Sequence, residues 1–213
     1  MSKAVLIDYG SGNLRSAEKA LLRAAAERAG APEVLTTSDP DEVAKADRLV
    51  LPGVGAFAAC MGAIDAVSGL REAIEETVTR RGRPFLGVCV GMQLMATRGL
   101  EFGETPGFGW IPGDVRRIAP GDRSLKVPHM GWNALEAVAG HPVFEGLEGR
   151  DVYFTHSFAL HPEEAQHAAA WTTHGERFAA AVARDNLAGV QFHPEKSQGA
   201  GIALLGNFLE WRP

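Results

Sequence analysis

Cysteine and long apolar runs are both scarce in this chain of 213 residues, and each scarcity excludes a class of protein. Its two cysteines, Cys60 and Cys89, cannot build the disulfide framework that stabilises small secreted domains. No stretch of 18 apolar residues occurs, and the apolar run at residues 4–7 is too short for a signal peptide. We therefore expect a soluble, cytoplasmic protein that makes no use of a membrane.

Positive charge is also in short supply. Lysine and arginine total 21 against 26 acidic residues, which gives a formal net charge of −5. This balance argues against a nucleic-acid partner, because such proteins carry basic patches or stripes. Apolar residues make up 46% and charged residues 22%, the usual mixture of a folded globular domain. We expect one domain over residues 1–213.

Patterns of strands and helices alternate through the first half of the chain. Short apolar runs at residues 4–8, 33–37, 48–51 and 84–88 predict buried strands. Helical spacing predicts helices at residues 13–28 and 57–81, the second broken near residues 68–69. A short helix is predicted from Pro40, and another over residues 91–97. Such alternation favours a mostly parallel sheet with helices on both faces.

The second half has a different pattern. Short strands separated by turn residues are predicted at residues 115–118, 132–135, 152–158, 168–172 and 178–184, and they suggest antiparallel hairpins. A buried strand at residues 187–192 and an amphipathic helix at residues 202–211 complete the chain. The predicted fold class is therefore α/β, a mostly parallel central sheet with an antiparallel elaboration.

The strongest chemical signal is the pattern GVCVG at residues 87–91, between a buried strand and a helix. It has the form of a nucleophile elbow with Cys89 in the position of the serine. Glycines two residues to either side remove side chains that would collide in so sharp a turn. The following helix favours a thiolate, and the Val90 amide can donate to an oxyanion. The alternative is a small apolar cysteine packed at a strand end.

A second pattern, QFHPE at residues 191–195, supplies the base that a thiol nucleophile needs. Residues two apart in an extended chain point to the same side, so Glu195 can orient the ring of His193 toward Cys89. Parallel strands also bring their carboxyl ends to one edge of a sheet. Without Cys89, a strand-end histidine beside a solvated glutamate would be the better interpretation.

The pattern LPGVG at residues 51–55 follows the third predicted strand. Its two glycines allow the backbone to turn an amide toward a reacting carbonyl, so Val54 or Gly55 can provide a second oxyanion donor. Taken alone, this pattern is better explained as an ordinary turn.

Together these three patterns resemble those of class I glutamine amidotransferases. The match narrows with DYGSGNL at residues 8–14, PHMGWN at residues 128–133 and HPEKS at residues 193–197. Over essentially its whole length the chain resembles the glutaminase subunit of imidazole glycerol phosphate synthase. The resemblance implies a class I glutamine amidotransferase-like fold and L-glutamine as substrate.

The resemblance also implies a mechanism. Cys89 would attack the glutamine carboxamide, backbone amides near Val54 or Gly55 and at Val90 would hold the oxyanion, and His193 would protonate the departing ammonia. Water would then release glutamate from the thioester. The residues implied in glutamine binding are Gln93, Glu101, His156, Ser157 and Phe158. For Glu101 the alternative is a solvated residue after the helix.

The partner implied by the family is a separate (β/α)8-barrel cyclase subunit. It would use the ammonia to make imidazole glycerol phosphate and an aminoimidazole carboxamide ribotide in histidine biosynthesis, and the two subunits would form a heterodimer. The interface positions implied are Asn13, Met130, Trp132 and Lys196. Trp132 is the best candidate anchor, with a core aromatic in a half-buried strand as the alternative.

Patterns for cofactors and metals are weak. The GSG sequence at residues 10–12 follows a strand, but Arg15 occupies the position of the third glycine of a dinucleotide fingerprint. The histidines other than His193 have no metal-ligand spacing with cysteines or acidic residues. We expect neither a cofactor nor a metal, and we assign Cys60 to the core.

Two other functions remain open at this point. One is a γ-glutamyl hydrolase or another cysteine hydrolase of the same fold, which would release its product to water. The other is a non-catalytic binding module, against which the presence of Cys89, His193 and Glu195 together argues.

Overall fold

The architecture is described from a computed structural model that covers residues 2–122 and 124–213. In chain order the strands are β1 (Lys3–Ile7), β2 (Glu33–Thr37), β3 (Arg48–Leu51), β4 (Phe85–Val88), β5 (Ala96–Gly99), β6 (Thr105–Pro106), β7 (Ile111–Arg117), β8 (His129–Ala134), β9 (Asp151–His156), β10 (Phe158–Pro162), β11 (Ala168–His174), β12 (Glu176–Arg184) and β13 (Leu187–Val190). The α-helices are α1 (Leu14–Ala26), α2 (Pro40–Lys45), α3 (Phe57–Ala66), α4 (Leu70–Glu75), α5 (Val90–Gln93) and α6 (Gln198–Glu210).

A seven-stranded sheet forms the centre, in the order β11-β12-β13-β4-β3-β1-β2. From β2 through β13 the neighbours are parallel, whereas β12 and β11 join antiparallel. β3, β4 and β13 are buried at every residue, as expected of strands covered on both faces. α1 packs on α6, while α2 and α3 pack on α4, and these helices provide the cover. The predicted α/β class is therefore confirmed.

Two smaller sheets form the antiparallel elaboration. One has the order β10-β7-β5-β6, and the other pairs β8 with β9. One pair departs from the prediction, because β5 and β7 are parallel. The predicted strand at residues 152–158 is divided at Ser157, where the chain stops pairing with β8 and starts pairing with β7.

The predicted helix over residues 91–97 is wrong in extent. α5 is a single turn, and strand β5 begins at Ala96. Pairing explains the change, since residues 96–99 form sheet hydrogen bonds with β6 and β7 and the Arg98 side chain forms ion pairs with Glu104 and Asp114. The helix that follows the elbow is therefore much shorter than expected.

The predicted break in the helical segment 57–81 is confirmed. α3 ends at Ala66, and Gly69 has a φ of +80°, a backbone conformation that favours glycine. α4 then continues into a π-helical turn, Glu76–Arg80.

At the other end of the chain, α6 starts earlier than predicted and is buried on most sides rather than amphipathic, because it packs against α1, β9 and the turn Pro142–Phe144. Within the described residues, no helix has the length and apolar character needed to cross a membrane.

Candidate active site

Cys89 lies in a strained turn between β4 and α5. Its φ of 55° and ψ of −112° are unusual for any residue other than glycine, and its side chain is buried. A Cβ on Gly87 would lie 2.6 Å from the carbonyl oxygen of Gly91, and one on Gly91 would lie 1.9 Å from that of Leu51. Both glycines of the GVCVG pattern are therefore required by close backbone packing, as the elbow predicts.

The base candidate is fixed from two sides. Nδ1 of His193 donates to Oε1 of Glu195 at 2.9 Å, and both side chains are about 5–6% exposed. The backbone N–H of His193 donates to the Tyr153 carbonyl at 2.9 Å, and the Ser197 hydroxyl donates to the His193 carbonyl at 2.7 Å. The predicted contact is present, but its predicted geometry is wrong: Glu195 lies in the 3-10 turn Pro194–Lys196, not in an extended strand.

The electrostatics of His193 follow from these neighbours. Burial by itself would lower the pKa of the imidazole, but interactions with Cys89 and Glu195 outweigh burial and raise that pKa to about 9. Within the described part of the chain, Nε2 is buried and has no hydrogen-bond partner. The ring is thus protonated at neutral pH, with one nitrogen committed to Glu195 and the other available.

A cavity of about 330 Å³ opens above the elbow. Every residue predicted for catalysis, oxyanion stabilisation or glutamine binding lines it except Glu195, which orients His193 without reaching the cavity. The predicted residues on the cavity wall are Val54, Gly55, Cys89, Val90, Gln93, Glu101, His156, Ser157, Phe158 and His193. The fold therefore brings together residues from five separate parts of the chain around one thiol.

The Val90 amide, one of the predicted oxyanion donors, is engaged in this conformation. The N–H of Val90 donates to the Gly53 carbonyl at 3.4 Å. In a trans peptide the carbonyl and the N–H point in opposite directions, so the Val54 amide of the same peptide points away from Val90. The neighbouring carbonyls are also held, since the Tyr9 hydroxyl donates to Pro52 at 2.7 Å and the Ser11 hydroxyl donates to Val54 at 2.8 Å.

Gln93 and Glu101 both reach the cavity, and each already has a partner in the protein. Nε2 of Gln93 donates to the Phe158 carbonyl at 2.8 Å and to Oε1 of Gln191 at 3.0 Å. Oε2 of Glu101 accepts the backbone N–H of Phe57, at the start of α3, at 2.9 Å. The alternative of a merely solvated Glu101 is therefore wrong.

The segment 156–158 forms the opposite wall of the cavity, and its carbonyls are engaged. The Phe158 carbonyl also accepts Nδ1–H of His156 at 2.9 Å, and the Ser157 carbonyl accepts the Ile118 amide at 3.0 Å. Nε2 of His156 in turn accepts Nδ1–H of His129 at 3.1 Å. Burial lowers the pKa of His156 to about 3 and that of His129 to about 4, so both rings are neutral at physiological pH.

Comparisons with known proteins identify the family to which this site belongs. A family model described as glutamine amidotransferase class-I matches residues 5–211. The chain is 58% identical to the imidazole glycerol phosphate synthase subunit HisH of Caulobacter vibrioides, over 100% of both chains. The chain belongs to the HisH family of class I glutamine amidotransferases. The resemblance predicted from its motifs is confirmed.

Further relatives agree with this family. The HisH subunit of Cereibacter sphaeroides is 57% identical, with 98% of this chain and 99% of that protein covered. A crystal structure of a glutamine amidotransferase superposes with a TM-score of 0.72 over 97% of each chain. Its sequence identity is 20%, so this likeness supports the fold alone.

Near the cavity, the chain exposes large side chains at positions that the sequence predicts for a partner interface. Met130 is 65% exposed and Trp132 is 49% exposed, and the two point to the same side of β8. Trp132 packs edge-on against Tyr153, and Nζ of Lys196 lies over the Tyr153 ring at 5.4 Å from its centre. Lys196 also lines the cavity, so this surface and the cavity are continuous. The alternative of Trp132 as a core aromatic is wrong.

Asn13, the remaining interface position, lies just before α1 and is exposed. It lines a small crevice that also includes Val54, His193 and Glu195. It therefore lies close to both the His193–Glu195 pair and the Pro52–Gly55 loop.

Gln191 is the residue near the thiol that the sequence interpretation left without a role. Its side chain is fully buried, and its Nε2 donates to Sγ of Cys89 at 3.6 Å. Its position directly after β13, at the sheet edge that also carries His193, was a usable signal. Cys60 is buried in α3 as predicted, and its thiol donates to the Val54 carbonyl at 3.4 Å.

Proposed function

We propose that this glutamine amidotransferase hydrolyses glutamine with Cys89, His193 and Glu195 as its catalytic triad and transfers the ammonia to a cyclase subunit. The observation that carries the triad assignment is the meeting of a buried thiol and a carboxylate-oriented imidazole on one cavity. The partner and the pathway follow from the HisH family, whose members are named as subunits of imidazole glycerol phosphate synthase.

The proposed reaction starts from a thiolate beside a protonated imidazole. The raised pKa of His193 favours this ion pair, because the ring keeps a proton that the thiol has lost. Sγ of Cys89 attacks the γ-carbonyl carbon of glutamine, and the C–N bond breaks as Nε2 of His193 donates its proton to the departing nitrogen. The neutral ring then takes a proton from water, which attacks the γ-glutamyl thioester and releases glutamate.

Glutamine recognition depends on which hydrogen-bonding atoms of each wall residue remain available to the substrate. Both hydrogens of the Gln93 amide are engaged, so only its Oε1 can meet the substrate, as an acceptor. Glu101 is held at α3 through Oε2, which leaves Oε1 for the α-ammonium group. The hydroxyl of Ser157 can donate to the α-carboxylate. A cavity of about 330 Å³ suits a small polar amino acid.

The conformation described here is the resting one under this proposal. The Gly53 carbonyl occupies the Val90 amide, where the oxyanion of the tetrahedral intermediate would need a donor. Rotation of the Gly53–Val54 peptide would free the Val90 N–H and turn the Val54 N–H toward the cavity. Docking of the cyclase on Asn13 and the neighbouring loop would favour that rotation and so link glutamine hydrolysis to ammonia demand.

The partner surface proposed is the exposed face formed by Met130, Trp132 and Lys196, together with Asn13. Its continuity with the cavity gives ammonia a short route to the second subunit. Ammonia that escaped into water instead would be protonated. A large exposed tryptophan is typical of the residues that dominate protein interfaces. The functional unit is accordingly a heterodimer.

A reducing compartment fits this chemistry. Cys60 and Cys89 are both free thiols, and the nucleophile must stay reduced to act. We place the protein in the cytoplasm for that reason.

The test is glutamine turnover by the chain purified together with the cyclase, with and without the nucleotide substrate. Cys89→Ala is expected to abolish glutamine-dependent synthesis while ammonia-dependent synthesis by the complex stays within about twofold, because only the thiol is lost. Cys60→Ser, which removes the other thiol but keeps a donor for the Val54 carbonyl, is the matched control and should retain turnover. γ-Glutamyl peptides provide the competing substrate.

Two outcomes would contradict the proposal. Full glutaminase activity in Cys89→Ala would exclude the thiol as nucleophile. Faster hydrolysis of γ-glutamyl peptides than of glutamine, with no response to the cyclase, would instead support a hydrolase that releases its product to water.

A further inference from the structure

The orientation of two buried amides determines which atom faces the Cys89 sulfur. The Phe158 carbonyl can only accept, so the atom of Gln93 that meets it at 2.8 Å must be the amide nitrogen. The same nitrogen lies 3.0 Å from the Gln191 side chain, which must therefore present its oxygen. The other end of Gln191, at 3.6 Å from Sγ of Cys89, is consequently its N–H donor.

The position of Gln191 separates it from the substrate. Its side chain is 0% exposed and does not line the cavity, whereas Gln93 does. Its backbone N–H is bonded to the Ala180 carbonyl at 2.9 Å, which anchors it next to β12. Gln191 can thus act on the sulfur from behind without contacting bound glutamine.

The turn that follows Cys89 leaves a role for such a donor. α5 is one turn long, so the dipole that would favour a thiolate at its N-terminus is much smaller than that of a full helix. The Val90 amide, the first backbone N–H after Cys89, is engaged with Gly53. Beside the His193 ring, a side-chain N–H aimed at Sγ is therefore the group that can stabilise negative charge there in the resting conformation.

We propose that Gln191 positions the Cys89 sulfur and stabilises its thiolate through a hydrogen bond whose direction is set by Gln93 and the Phe158 carbonyl. The inference rests on Cys89 being the nucleophile of the proposed function. Hydrogen bonds to an ionised acceptor are stronger than those to a neutral one, so this contact favours the charged form of the thiol. Gln93 links the substrate cavity to this contact.

The experiment measures the pH dependence of Cys89 alkylation by iodoacetamide, read by mass spectrometry on the peptide that contains Cys89. Gln191→Met keeps the side-chain length and removes the donor. We expect about tenfold slower alkylation of Cys89 at neutral pH, because the thiolate has lost a donor. Gln191→Glu keeps the acceptor for Gln93 and places negative charge beside the sulfur, so its effect should be at least as large.

Two further variants define the origin of the slower alkylation. Gln93→Met leaves Gln191 in place but removes the group that orients it, and a smaller effect in the same direction is expected. Gln166→Met, at an exposed glutamine in the turn Ala165–His167, is the matched control and should leave the profile unchanged. Thermal melting identifies any variant that fails to fold.

Steady-state kinetics of the complex provide the second readout. Gln191→Met should lower kcat about tenfold with KM almost unchanged, whereas Gln93→Met should also raise KM, because only Gln93 touches the cavity. Unchanged alkylation profiles in folded Gln191→Met and Gln191→Glu would overturn the inference. Alkylation needs no glutamine. A shifted alkylation profile in a complex without glutaminase activity would therefore support the Gln191 contact and contradict the proposed function.

Discussion

At the scale of single residues, the candidate site depends on a histidine whose charge is decided by its neighbours. A buried imidazole would normally lose its proton more readily, as His129 and His156 do. His193 behaves in the opposite way because Cys89 and Glu195 together outweigh burial. The same residue type therefore has opposite electrostatics within one small region.

Replacing Glu195 tests this balance directly. Glu195→Gln removes a negative charge at 2.9 Å from Nδ1 of His193, so the pKa of the imidazole should fall from about 9 toward its ordinary value. We expect the alkaline limb of the kcat/KM profile to move to lower pH and kcat to fall by roughly 10²–10⁴-fold. Glu164→Gln, at an exposed acidic residue, is the control. An unchanged alkaline limb would show that Glu195 does not set the charge of His193.

At the scale of secondary-structure elements, the elbow is built by backbone packing between β3, β4 and α5. Gly91 sits where α5 meets the end of β3, so close that no side chain fits between them. Gly53 is similarly confined, with a Cβ placed 2.7 Å from the Gly91 nitrogen. The position of the thiol is therefore set by contacts between backbones, which tolerate little adjustment.

Gly91→Ala tests that packing. An added Cβ would lie 1.9 Å from the Leu51 carbonyl oxygen, so α5 must move away from β3. We expect a loss of about 3 kcal/mol or more in the free energy of unfolding, together with loss of Cys89 reactivity. Chemical denaturation and alkylation of Cys89 measure the two effects.

The matched control is Gly62→Ala in α3, where a Cβ meets no atom within 4 Å. Alanine is the better helix former, so this variant should gain about 0.5–1 kcal/mol. Equal stability of the two variants would exclude a packing requirement at Gly91.

At the scale of the whole molecule, neutral histidines join the small β8-β9 sheet to the cavity wall. His129 stacks on Phe154 at 4.8 Å between ring centres and on His174 at 4.2 Å, and it donates to His156. These contacts suit uncharged rings, because a proton on His129 or His156 would place a positive charge in a buried site. The fold therefore carries acid-sensitive groups distinct from the proposed triad.

Stability should fall as the pH drops below about 6.5. The pKa of His129 is about 4 and that of His156 about 3 in the folded chain, so between pH 6.5 and 4 the unfolded chain binds protons that the folded chain does not. Each group contributes a slope of up to about 1.4 kcal/mol per pH unit. His193 has the opposite sign: its raised pKa stabilises the folded chain below 6.5, and that contribution is lost as the pH rises toward 9.

Urea denaturation at a series of pH values from 4.5 to 9 measures the free energy of unfolding on the acid limb, below pH 6.5, and on the alkaline limb above it. His129→Gln keeps a polar donor but cannot titrate, so its acid limb should be shallower than that of the unmodified chain. An identical acid limb in the two proteins would mean that the buried histidine pair is not its cause.

Local chemistry in the sequence was enough to predict the fold class and to select the candidate site residues. GVCVG predicts an elbow because only glycine fits beside so sharp a turn, and alternating buried runs and helical spacing predict a parallel α/β sheet. Those signals lie within a few adjacent residues, and both predictions agree with the structure.

Only the tertiary structure decided the rest, because it depends on contacts between residues far apart in the chain. Packing between separate segments determines the length of α5 and the turn that carries Glu195. It also determines which carbonyl accepts the Val90 N–H and which end of the Gln191 amide faces the thiol. A local pattern states what a segment can form. The orientation of a peptide or an amide is selected by the partner that satisfies its hydrogen bonds, and that partner is known only once the chain has folded.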